Sequence, residues 1–493
     1  MPDTNYQALI NMYRRSLPPG RITDYRIDGL DHLGIPVVSV DHFRDDGGSA
    51  NGIGYGASEE AARLGAYGEL CEELHLDLSF HELEQRRGSY RELVDQIGAH
   101  SVIDPLTLVL PAGCDYTEGT PLVWVPITAV DDGSQQWCPA EFVATSDSQI
   151  DYPAKMTVCI RNGSGAGDTL ERALLHGALE LLQRDGNADC FRALDRGVVI
   201  ETEDLPMDVR ELLSSLAERG LTVIPKLART TCGCVSLYAV GDDTTQDPFP
   251  FSVTGCGEAA DPDTATALRK AILECASSHS RKRFDNLPFD AKRKLLPEGT
   301  EAKLKDIKLD EEEQRALRAM YDWTQLDASQ LREKLADSVF RRAATVNYAS
   351  LPTFEEDDID ARWNFVRRQL EVRGLRPYYF RATTTRGACE VVKVIVPGIE
   401  MEFASYHRVG KRGVQRLQAD DPFKLLHRQA GPGRKEIMLP ATVNDGMGGP
   451  FYLDTNRLDE LIDPLYALYR EPTAHAAVLA EETGYFTASV ESR

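Results

Sequence analysis

The sequence predicts an α+β fold in which helices pack against mixed sheets, although the same patterns also allow an α/β fold. The first observation behind this prediction is that strand-like and helix-like segments alternate along the 493 residues, with long connections between them. The second is that a Gly-rich turn followed by a helix with an acidic residue occurs three times. These copies indicate an internal pseudo-repeat that lacks the fixed short period of a solenoid.

The central copy of this unit spans residues 162–185. Its Gly-rich turn leads to Asp168, which we predict to cap the helix, with Glu171 three positions later completing a capping box. One face of the helix is apolar, and the adjacent face carries small residues followed by Glu180 and Arg184. A carboxylate beside an apolar stripe, approached over small residues, is predicted to point into a cleft.

The other two copies follow the same plan. Residues 54–56 precede a helix with Glu69 and Glu72, and residues 255–257 precede a helix with Glu274. We predict that the three units form one polyanion site, because helix N-termini and Gly-loop amides favour phosphates and carboxylates hold Mg²⁺. The competing interpretation is that each turn is ordinary chain punctuation and each glutamate lies on a solvated face. The threefold recurrence favours the site.

The remaining elements are predicted from periodicity, in chain order. The pattern predicts a helix within residues 1–19, a strand at 35–40, a polar Gly-rich loop at 45–56, a helix at 58–76, strands at 122–127 and 141–144, the central helix from 168 to about 194, a helix at 208–219, strands at 222–225, 234–240 and 249–254, charged helices inserted at 285–345, a helix at 360–373 and paired strands at 378–382 and 390–396. Residues 416–493 are predicted to form an appended C-terminal region.

Composition excludes some classes of function. The net charge of −23 argues against a nucleic-acid backbone as the main partner, since binding phosphates needs a basic footprint. An acidic surface suits a basic peptide but is more often a solubility feature.

The N-terminus lacks the apolar core of a signal peptide, and no apolar run is long enough to span a membrane. The ten cysteines lack paired spacing, which fits reduced thiols in the cytoplasm.

Taken together and in order, the three units resemble the ATP-binding core of the YcaO-domain family. The segments Glu69-Leu70-Cys71-Glu72, Glu180-Leu181-Leu182-Gln183-Arg184 and Glu274-Cys275-Ala276-Ser277 stand where that family has two Glu-x-x-Glu-Arg helices and a Glu-x-x-Gln helix. Residues 21–37 resemble the family's entry segment, and residues 394–400, followed by Arg408 and Arg412, resemble its closing segment. The resemblance implies a YcaO-like catalytic domain over roughly residues 20–415.

The resemblance also implies chemistry. Enzymes of this family use ATP and Mg²⁺ to activate a backbone amide of a peptide, giving an azoline by cyclodehydration or else a thioamide or amidine. The setting implied is the maturation of a ribosomally synthesised peptide, with a precursor peptide as substrate and a separate leader-binding or sulfur-delivery protein as partner; a homodimer is compatible with it. The chain ends without the Pro-x-Pro-x-Pro tail common in azoline-forming members, which favours a thioamide or amidine.

Site residues follow from the matched positions. The resemblance assigns catalytic roles to Glu180 and Arg184, nucleotide binding to Asn162, Ser164, Asp168, Glu171, Glu69, Arg184 and Arg281, and metal binding to Glu72, Glu180, Gln183 and Glu274.

Several positions depart from the family pattern. Tyr55 stands in place of Lys, Glu73 in place of Arg, Asp168 in place of Asn, Gln183 in place of the second central acid, and Ser277 in place of Gln. These departures support a second hypothesis, a degenerate non-catalytic scaffold that binds a precursor peptide or a partner enzyme. A kinase-like or ATP-grasp enzyme ranks last, because the sequence has no Walker motif or kinase signature.

Overall fold

The computed structural model describes residues 5–152, 156–246, 248–354, 356–384 and 387–488. Helices α1 to α16 are Tyr6–Ser16, Glu59–Phe80, Tyr90–Ile97, Leu170–Asn187, Met207–Glu218, Thr264–Asn286, Phe289–Lys292, Thr300–Leu304, Gln314–Thr324, Ala328–Ala336, Ile359–Glu371, Lys411–Ala419, Ala441–Met447, Thr455–Ile462, Ala476–Glu482 and Tyr485–Ala488. Strands β1 to β17 are Gly20–Arg26, Val37–Arg44, Ser49–Tyr55, Arg86–Gly88, Leu122–Ala129, Gln135–Pro139, Ser164–Gly167, Val198–Ile200, Leu221–Thr231, Cys234–Asp243, Thr254–Asp261, Ala344–Val346, Tyr378–Arg381, Glu390–Ile395, Leu426–His427, Arg434–Glu436 and Tyr452–Asp454.

The strands form several sheets, and this confirms the predicted α+β class with mixed sheets. Their orders are β1-β2-β3, β11-β10-β9-β8-β12, β4-β5-β13-β14-β7 with β6 beside β5, and β15-β17-β16. Pairing is antiparallel except between β12 and β8, which run parallel. The predicted pairing of the strands near residues 380 and 392 is also confirmed, with Tyr378 opposite Ile395.

Three strand–helix units repeat within this fold: β3 with α2, β7 with α4, and β11 with α6. Each helix follows a residue whose side chain accepts a backbone N–H from the first turn, as an N-cap does. These caps are Ser58, Thr169 and Asp263. The residues eleven positions after the caps are Glu69, Glu180 and Glu274. The three acids therefore occupy equivalent positions, about three turns into their helices.

Most of the predicted Gly-rich turns are strands instead, and Gly54, Gly165 and Gly257 are strand residues that lie against a helix backbone. A turn is found at residues 162–163 of the central unit, as predicted. A Cβ atom on Gly54 would stand 2.1 Å from the carbonyl oxygen of Ala62, so only glycine allows this approach. The same distance of 2.1 Å separates a Cβ on Gly165 from Ala173 and a Cβ on Gly257 from Ala271. These glycines thus allow each strand to pack closely against its helix.

The predicted capping box of the central helix is also wrong. Thr169 adopts the extended backbone of an N-cap, with φ −131° and ψ 157°, and its side chain accepts the N–H of Arg172 at 3.2 Å. Asp168 instead accepts a hydrogen bond from Nε of Arg172 at 2.7 Å. The helix therefore begins one residue later than predicted, and it ends at Asn187.

Two predicted strands are 3₁₀ turns, Ala140–Phe142 and Pro250–Ser252. In the second case Pro250 has no N–H to give to a sheet, and β11 begins only at Thr254. Within the described ranges, none of the helices combines the length and the apolarity that a bilayer crossing requires.

The charged insertion and the C-terminal region share one hydrophobic core. Trp323 and Leu331 of the insertion belong to the same buried cluster as Leu458 and Ile462 of the C-terminal region. The region predicted to be appended is therefore packed into the body of the protein. Its last residues, 489–493, which contributed to the prediction about the missing proline tail, lie outside the described residues.

Candidate active site

Glu180 is held in a fixed orientation about three turns into α4. Its carboxylate accepts the side-chain amide of Asn162 at 2.7 Å and the backbone N–H of Gly163 at 2.8 Å. Burial raises the pKa of Glu180, but the guanidinium of Arg184, 3.7 Å away, and these two hydrogen bonds outweigh burial and leave the pKa below its usual range. Glu180 is therefore an anion at neutral pH.

Two further carboxylates come from α2. Glu69 accepts the N–H of Ile53 at 2.9 Å, and burial raises its pKa to about 7. Glu72 accepts the N–H of Ala166 at 2.9 Å and lies 3.2 Å from Nδ1 of His176. Because Ala166 belongs to β7 and His176 to α4, Glu72 joins the first unit to the second.

The third unit contributes Glu274 and Glu258. Glu274 accepts the hydroxyl of Tyr55 at 3.1 Å, and burial together with the charge of Glu258 raises its pKa. Glu258 accepts Nη1 of Arg184 at 3.1 Å and the amide of Asn187 at 2.6 Å. Sequence reasoning missed Glu258. The available signal was an acid inside the otherwise small and uncharged segment 254–260.

Two cavities adjoin at Arg161, which lines both. The first, of about 470 Å³, is predominantly acidic, and its charged lining residues are Arg44, Glu69, Glu72, Glu73, Asp77, Arg161 and Glu180. The second, of about 570 Å³, is lined by five arginines, which are Arg161, Arg184, Arg192, Arg408 and Arg470, and by four acids, which are Asp147, Glu258, Glu313 and Glu402. We call the first lining the acidic wall, the second the arginine wall, and the two cavities together the cleft.

Aromatic rings orient the arginine wall. The guanidinium of Arg470 lies 4.0 Å from the ring centroid of Tyr406 and donates to its hydroxyl at 2.5 Å. Arg408 lies over the same ring at 4.6 Å, and Arg192 lies 5.2 Å from the ring centroid of Tyr469. Because residues 469 and 470 belong to the C-terminal region, that region contributes directly to the cleft, which sequence reasoning did not foresee.

Most of the predicted site residues meet at this cleft. Those that line it are Glu69, Glu72, Asn162, Ser164, Glu180 and Arg184. Gln183 is buried behind the lining, with its Nε2 atom 3.5 Å from Glu258. Arg281 acts through its charge, which lowers the pKa of Glu69, and its own pKa is raised by Asp285 and Glu69 despite burial.

Asp168 and Glu171 are not brought to the cleft. They lie at the start of α4, about 14 Å or more along the helix axis from Glu180. The N-termini of the other two helices are equally far from Glu69 and Glu274. The predicted site that combines helix N-termini with the carboxylates is therefore wrong, because the strand amides and the acids converge at the opposite end of each unit.

The residues of the cleft fit Mg²⁺ and a polyphosphate. Carboxylate oxygens are the ligands that Mg²⁺ prefers, and guanidinium groups bind phosphate oxygens. Among the described residues, the Nε atoms of Arg184, Arg408 and Arg470 and the Oδ1 atom of Asn187 are buried without a hydrogen-bond partner. Buried polar atoms normally have partners, and the four residues that carry these atoms all line the cleft.

A family model described as YcaO cyclodehydratase, ATP- and Mg²⁺-binding, matches residues 53–400. The chain belongs to the YcaO family. This match confirms the resemblance seen in the three motifs. ATP and Mg²⁺ are the cofactors of the family, and this YcaO chain is accordingly an ATP-dependent enzyme. The match covers the three strand–helix units and ends at Glu400.

One relative and two solved structures are similar to this chain over most of its length. An uncharacterized protein of Methanothermobacter thermautotrophicus is 25% identical over 405 residues, which cover 80% of this chain and 92% of the relative. The YcaO structure from Methanopyrus kandleri, bound with AMPPCP and Mg²⁺, is 19% identical with a TM-score of 0.57, covering 83% of this chain and 94% of the other. A heterocyclase in complex with substrate and cofactor is 17% identical with a TM-score of 0.62 over 84% of this chain. This YcaO chain spans only 55% of that heterocyclase.

The raised pKa of Glu69 predicts that the affinity for Mg²⁺ depends on pH. A carboxyl group must lose its proton to bind Mg²⁺, so we expect Mg²⁺ affinity to rise between about pH 6 and pH 8, as Glu69 titrates near its raised pKa. Calorimetric titration of Mg²⁺ across this range measures the effect. We expect the Glu69→Gln variant to bind Mg²⁺ more weakly and to lose this rise. A variant with the same pH profile as the unmodified chain would contradict a role for the Glu69 carboxylate in binding Mg²⁺.

The Glu69 carboxyl group also makes the stability of the fold depend on pH, but stability falls as pH rises whereas Mg²⁺ affinity increases. The pKa of Glu69 rises from 4.5 to about 7 on folding, so the unfolded chain releases this proton first as pH increases. The metal-free chain should therefore lose stability relative to the Glu69→Gln variant as pH rises from about 4.5 through 7. Urea denaturation of both proteins at several pH values tests this difference.

Proposed function

We propose that this YcaO chain uses ATP to phosphorylate the oxygen of a peptide backbone amide, in the maturation of a ribosomally synthesised peptide. The observation that carries the proposal is that the acidic wall and the arginine wall adjoin at Arg161. An acidic wall suits Mg²⁺, and an arginine wall suits phosphate oxygens, so the two together suit a polyphosphate that carries the metal. Two structures of similar fold support this proposal for the present chain. One was solved with AMPPCP and Mg²⁺, and the other with substrate and cofactor.

The acidic wall would hold Mg²⁺. Glu180 provides a carboxylate that is already ionised, and Glu69 and Glu72 lie beside it in the same cavity. Gln183 offers a neutral side chain where the family has an acid, and the buried carboxylate of Glu258 lies 3.5 Å from it. We assign to Glu258 the negative charge that Gln183 lacks, which reconciles this departure with metal binding.

ATP with Mg²⁺ supplies the phosphoryl group that turns an amide oxygen into a leaving group. The chain's arginines would neutralise the phosphate charge, since Arg184, Arg408 and Arg470 line the cleft and the Nε atom of each has no hydrogen-bond partner among the described residues. Arg184 also bridges Glu180 and Glu258, so its orientation is fixed by both units before the nucleotide arrives. Pre-oriented charges lower the cost of aligning phosphate and amide.

The product depends on the nucleophile that adds to the amide carbon. A Cys, Ser or Thr side chain of the substrate gives an azoline, a sulfur donor gives a thioamide, and an amine gives an amidine; in each case the amide oxygen leaves with phosphate. The substrate in this proposal is a precursor peptide. A separate protein would bind its leader or deliver sulfur.

Nucleotide binding is the first test. We expect calorimetric titration to show binding of AMPPCP that requires Mg²⁺, and we expect Arg161→Gln to weaken it by about tenfold. Arg161 is exposed, and its guanidinium has no ion pair or hydrogen bond with another described residue, so the substitution should not disturb the fold. Arg87→Gln, at an exposed arginine outside the cleft, is the control.

Isotope transfer tests the chemistry itself. Candidate precursor peptides would carry a heavy oxygen isotope in their backbone amides, and the proposal expects the label in the released phosphate. Mass spectrometry of the peptide then distinguishes loss of water from replacement of oxygen by sulfur. The scaffold hypothesis, which Gln183 and the buried Ser277 favour, predicts neither AMPPCP binding nor labelled phosphate. Absence of binding by the unmodified chain, alone and with a candidate partner, would support the scaffold.

A further inference from the structure

A second charged cavity, of about 700 Å³, lies beyond the C-terminal end of α4 and shares no lining residue with the cleft. It is bordered by strands β8 and β9, helix α12 and the loop before β12, and it is open to solvent. Its charged lining residues are Asp189, Arg196, Arg229, Arg341, Arg412, Arg416 and Asp420. We call it the arginine cavity. Five arginines around one cavity are unexpected in a chain of net charge −23.

Buried aspartates hold some of these arginines in place. Asp185, fully buried, accepts hydrogen bonds from Arg412 at 2.8 Å and from Arg416 at 2.6 Å. Asp189, 2% exposed, accepts two hydrogen bonds from Arg229, at 2.8 and 2.9 Å. These contacts fix the guanidinium groups in the cavity wall before any ligand binds, so little conformational entropy remains to be lost on binding.

The aspartates do not balance the positive charge. Within the described part of the chain, Asp420 is the third aspartate that contacts these arginines, through a hydrogen bond from Arg196 at 2.8 Å, and its side chain is 76% exposed. The five arginines are thus accompanied by three aspartates and by the buried Glu400, which interacts electrostatically with Arg416. Among the described residues, the guanidinium of Arg341 has no ion pair or hydrogen bond, and Nη1 of Arg412 is buried without a partner. Nε of Arg196 and of Arg229 is also buried and unpartnered.

The cavity also has an apolar side. Val198, Ala228 and Pro422 line it together with the buried Cys190. Its volume lies in the range of small-molecule sites, which typically combine an apolar lining with a few oriented polar groups. Guanidinium donors with free N–H groups match the geometry of phosphate and carboxylate oxygens.

We propose that the arginine cavity is a binding site for an oxyanion-bearing ligand, a phosphate ester or a carboxylate, that is separate from the nucleotide cleft. Arg341 provides an unpaired charge, and Arg412 provides an unpaired N–H group. Asp185 follows Arg184 directly in α4, so the cavity is adjacent in sequence to the cleft while its lining is distinct. This proposal does not depend on the function proposed above.

Calorimetric titration of the full chain with pyrophosphate and, separately, with citrate tests the proposal, in low-salt buffer without Mg²⁺. We expect at least one of the two anions to bind the unmodified chain, and we expect Arg341→Glu to weaken that binding by about tenfold or more. Because Arg341 is exposed and unpaired, the variant should fold, and circular dichroism checks this. Arg341→Gln is the milder second variant.

Two controls separate the arginine cavity from other sites. Arg342→Glu makes the same charge change at the exposed neighbour that does not line the cavity. Arg161→Gln affects the cleft alone. Binding that Arg341→Glu weakens, and that both controls retain, supports the proposal; pyrophosphate alone would indicate a phosphate ester, and citrate alone a carboxylate. No binding of either anion at millimolar concentration, or binding that only Arg161→Gln weakens, would overturn it.

Discussion

Replacing Glu180 by Gln is expected to weaken Mg²⁺-dependent binding of AMPPCP by at least about a hundredfold, because substitutions that only support a metal ligand already cost up to that much. Burial raises the pKa of Glu180, but Arg184 and the hydrogen bonds from Asn162 and Gly163 hold it below its usual range. The Gln variant keeps the shape of the side chain and removes the charge. Calorimetric titration with and without Mg²⁺ measures the loss.

Glu171→Gln is the matched control for this prediction. It removes the same charge from the same helix, but Glu171 lies about two and a half turns nearer the N-terminus and does not line the cleft. We expect its nucleotide affinity to equal that of the unmodified chain. Equal losses in the two variants, or no loss at Glu180, would contradict the placement of the metal site at the acidic wall.

Replacing Gly54 by Ala is expected to destabilise the fold by about 3 kcal/mol or more, at the upper end of the cost of overpacking a core. The added Cβ atom would stand 2.1 Å from the carbonyl oxygen of Ala62 and 2.2 Å from the backbone nitrogen of Ala66. Both are backbone atoms of α2, which cannot move aside as the end of a flexible side chain can. Urea denaturation measures the change in the free energy of unfolding.

Gly446→Ala is the control for the stability prediction. Gly446 lies in the exposed helix α13, and nothing stands within 4 Å of the position that its Cβ atom would take. Alanine in a helix should be neutral or stabilise the chain by up to about 1 kcal/mol. If Gly54→Ala unfolded at the same urea concentration as the unmodified chain, this result would contradict the close packing of β3 against α2.

The sequence by itself determined the features that depend on local spacing. The small residues and the acids of α2, α4 and α6 recur at three- and four-residue intervals, so their common helix face follows from the helical period alone. The ordered set of motifs was sufficient to indicate the family, and with it ATP and Mg²⁺. The α+β class also followed from the alternation of strands and helices.

Local cues alone misled the prediction at the glycines and at the helix cap. A Gly-rich segment is consistent with a loop or with a strand that packs closely against another backbone. The close approach of Gly54 to Ala62, which is a tertiary contact, shows that this segment is the second kind. Both Asp168 and Thr169 are good caps by residue type. The extended backbone that the preceding strand imposes at Thr169 selects it as the cap.

Only the tertiary structure decided which residues complete the site. Glu258 reaches Arg184 across 74 positions of sequence, and Arg470 reaches Tyr406 across 64. Contacts of this kind leave no periodic trace, because they depend on how β11, α4 and the C-terminal region pack together. The family resemblance marked Arg184, Arg408 and Arg412 individually, but their grouping with other arginines around two separate cavities could not be predicted from spacing. The acidic face of each helix, by contrast, could be predicted from spacing alone.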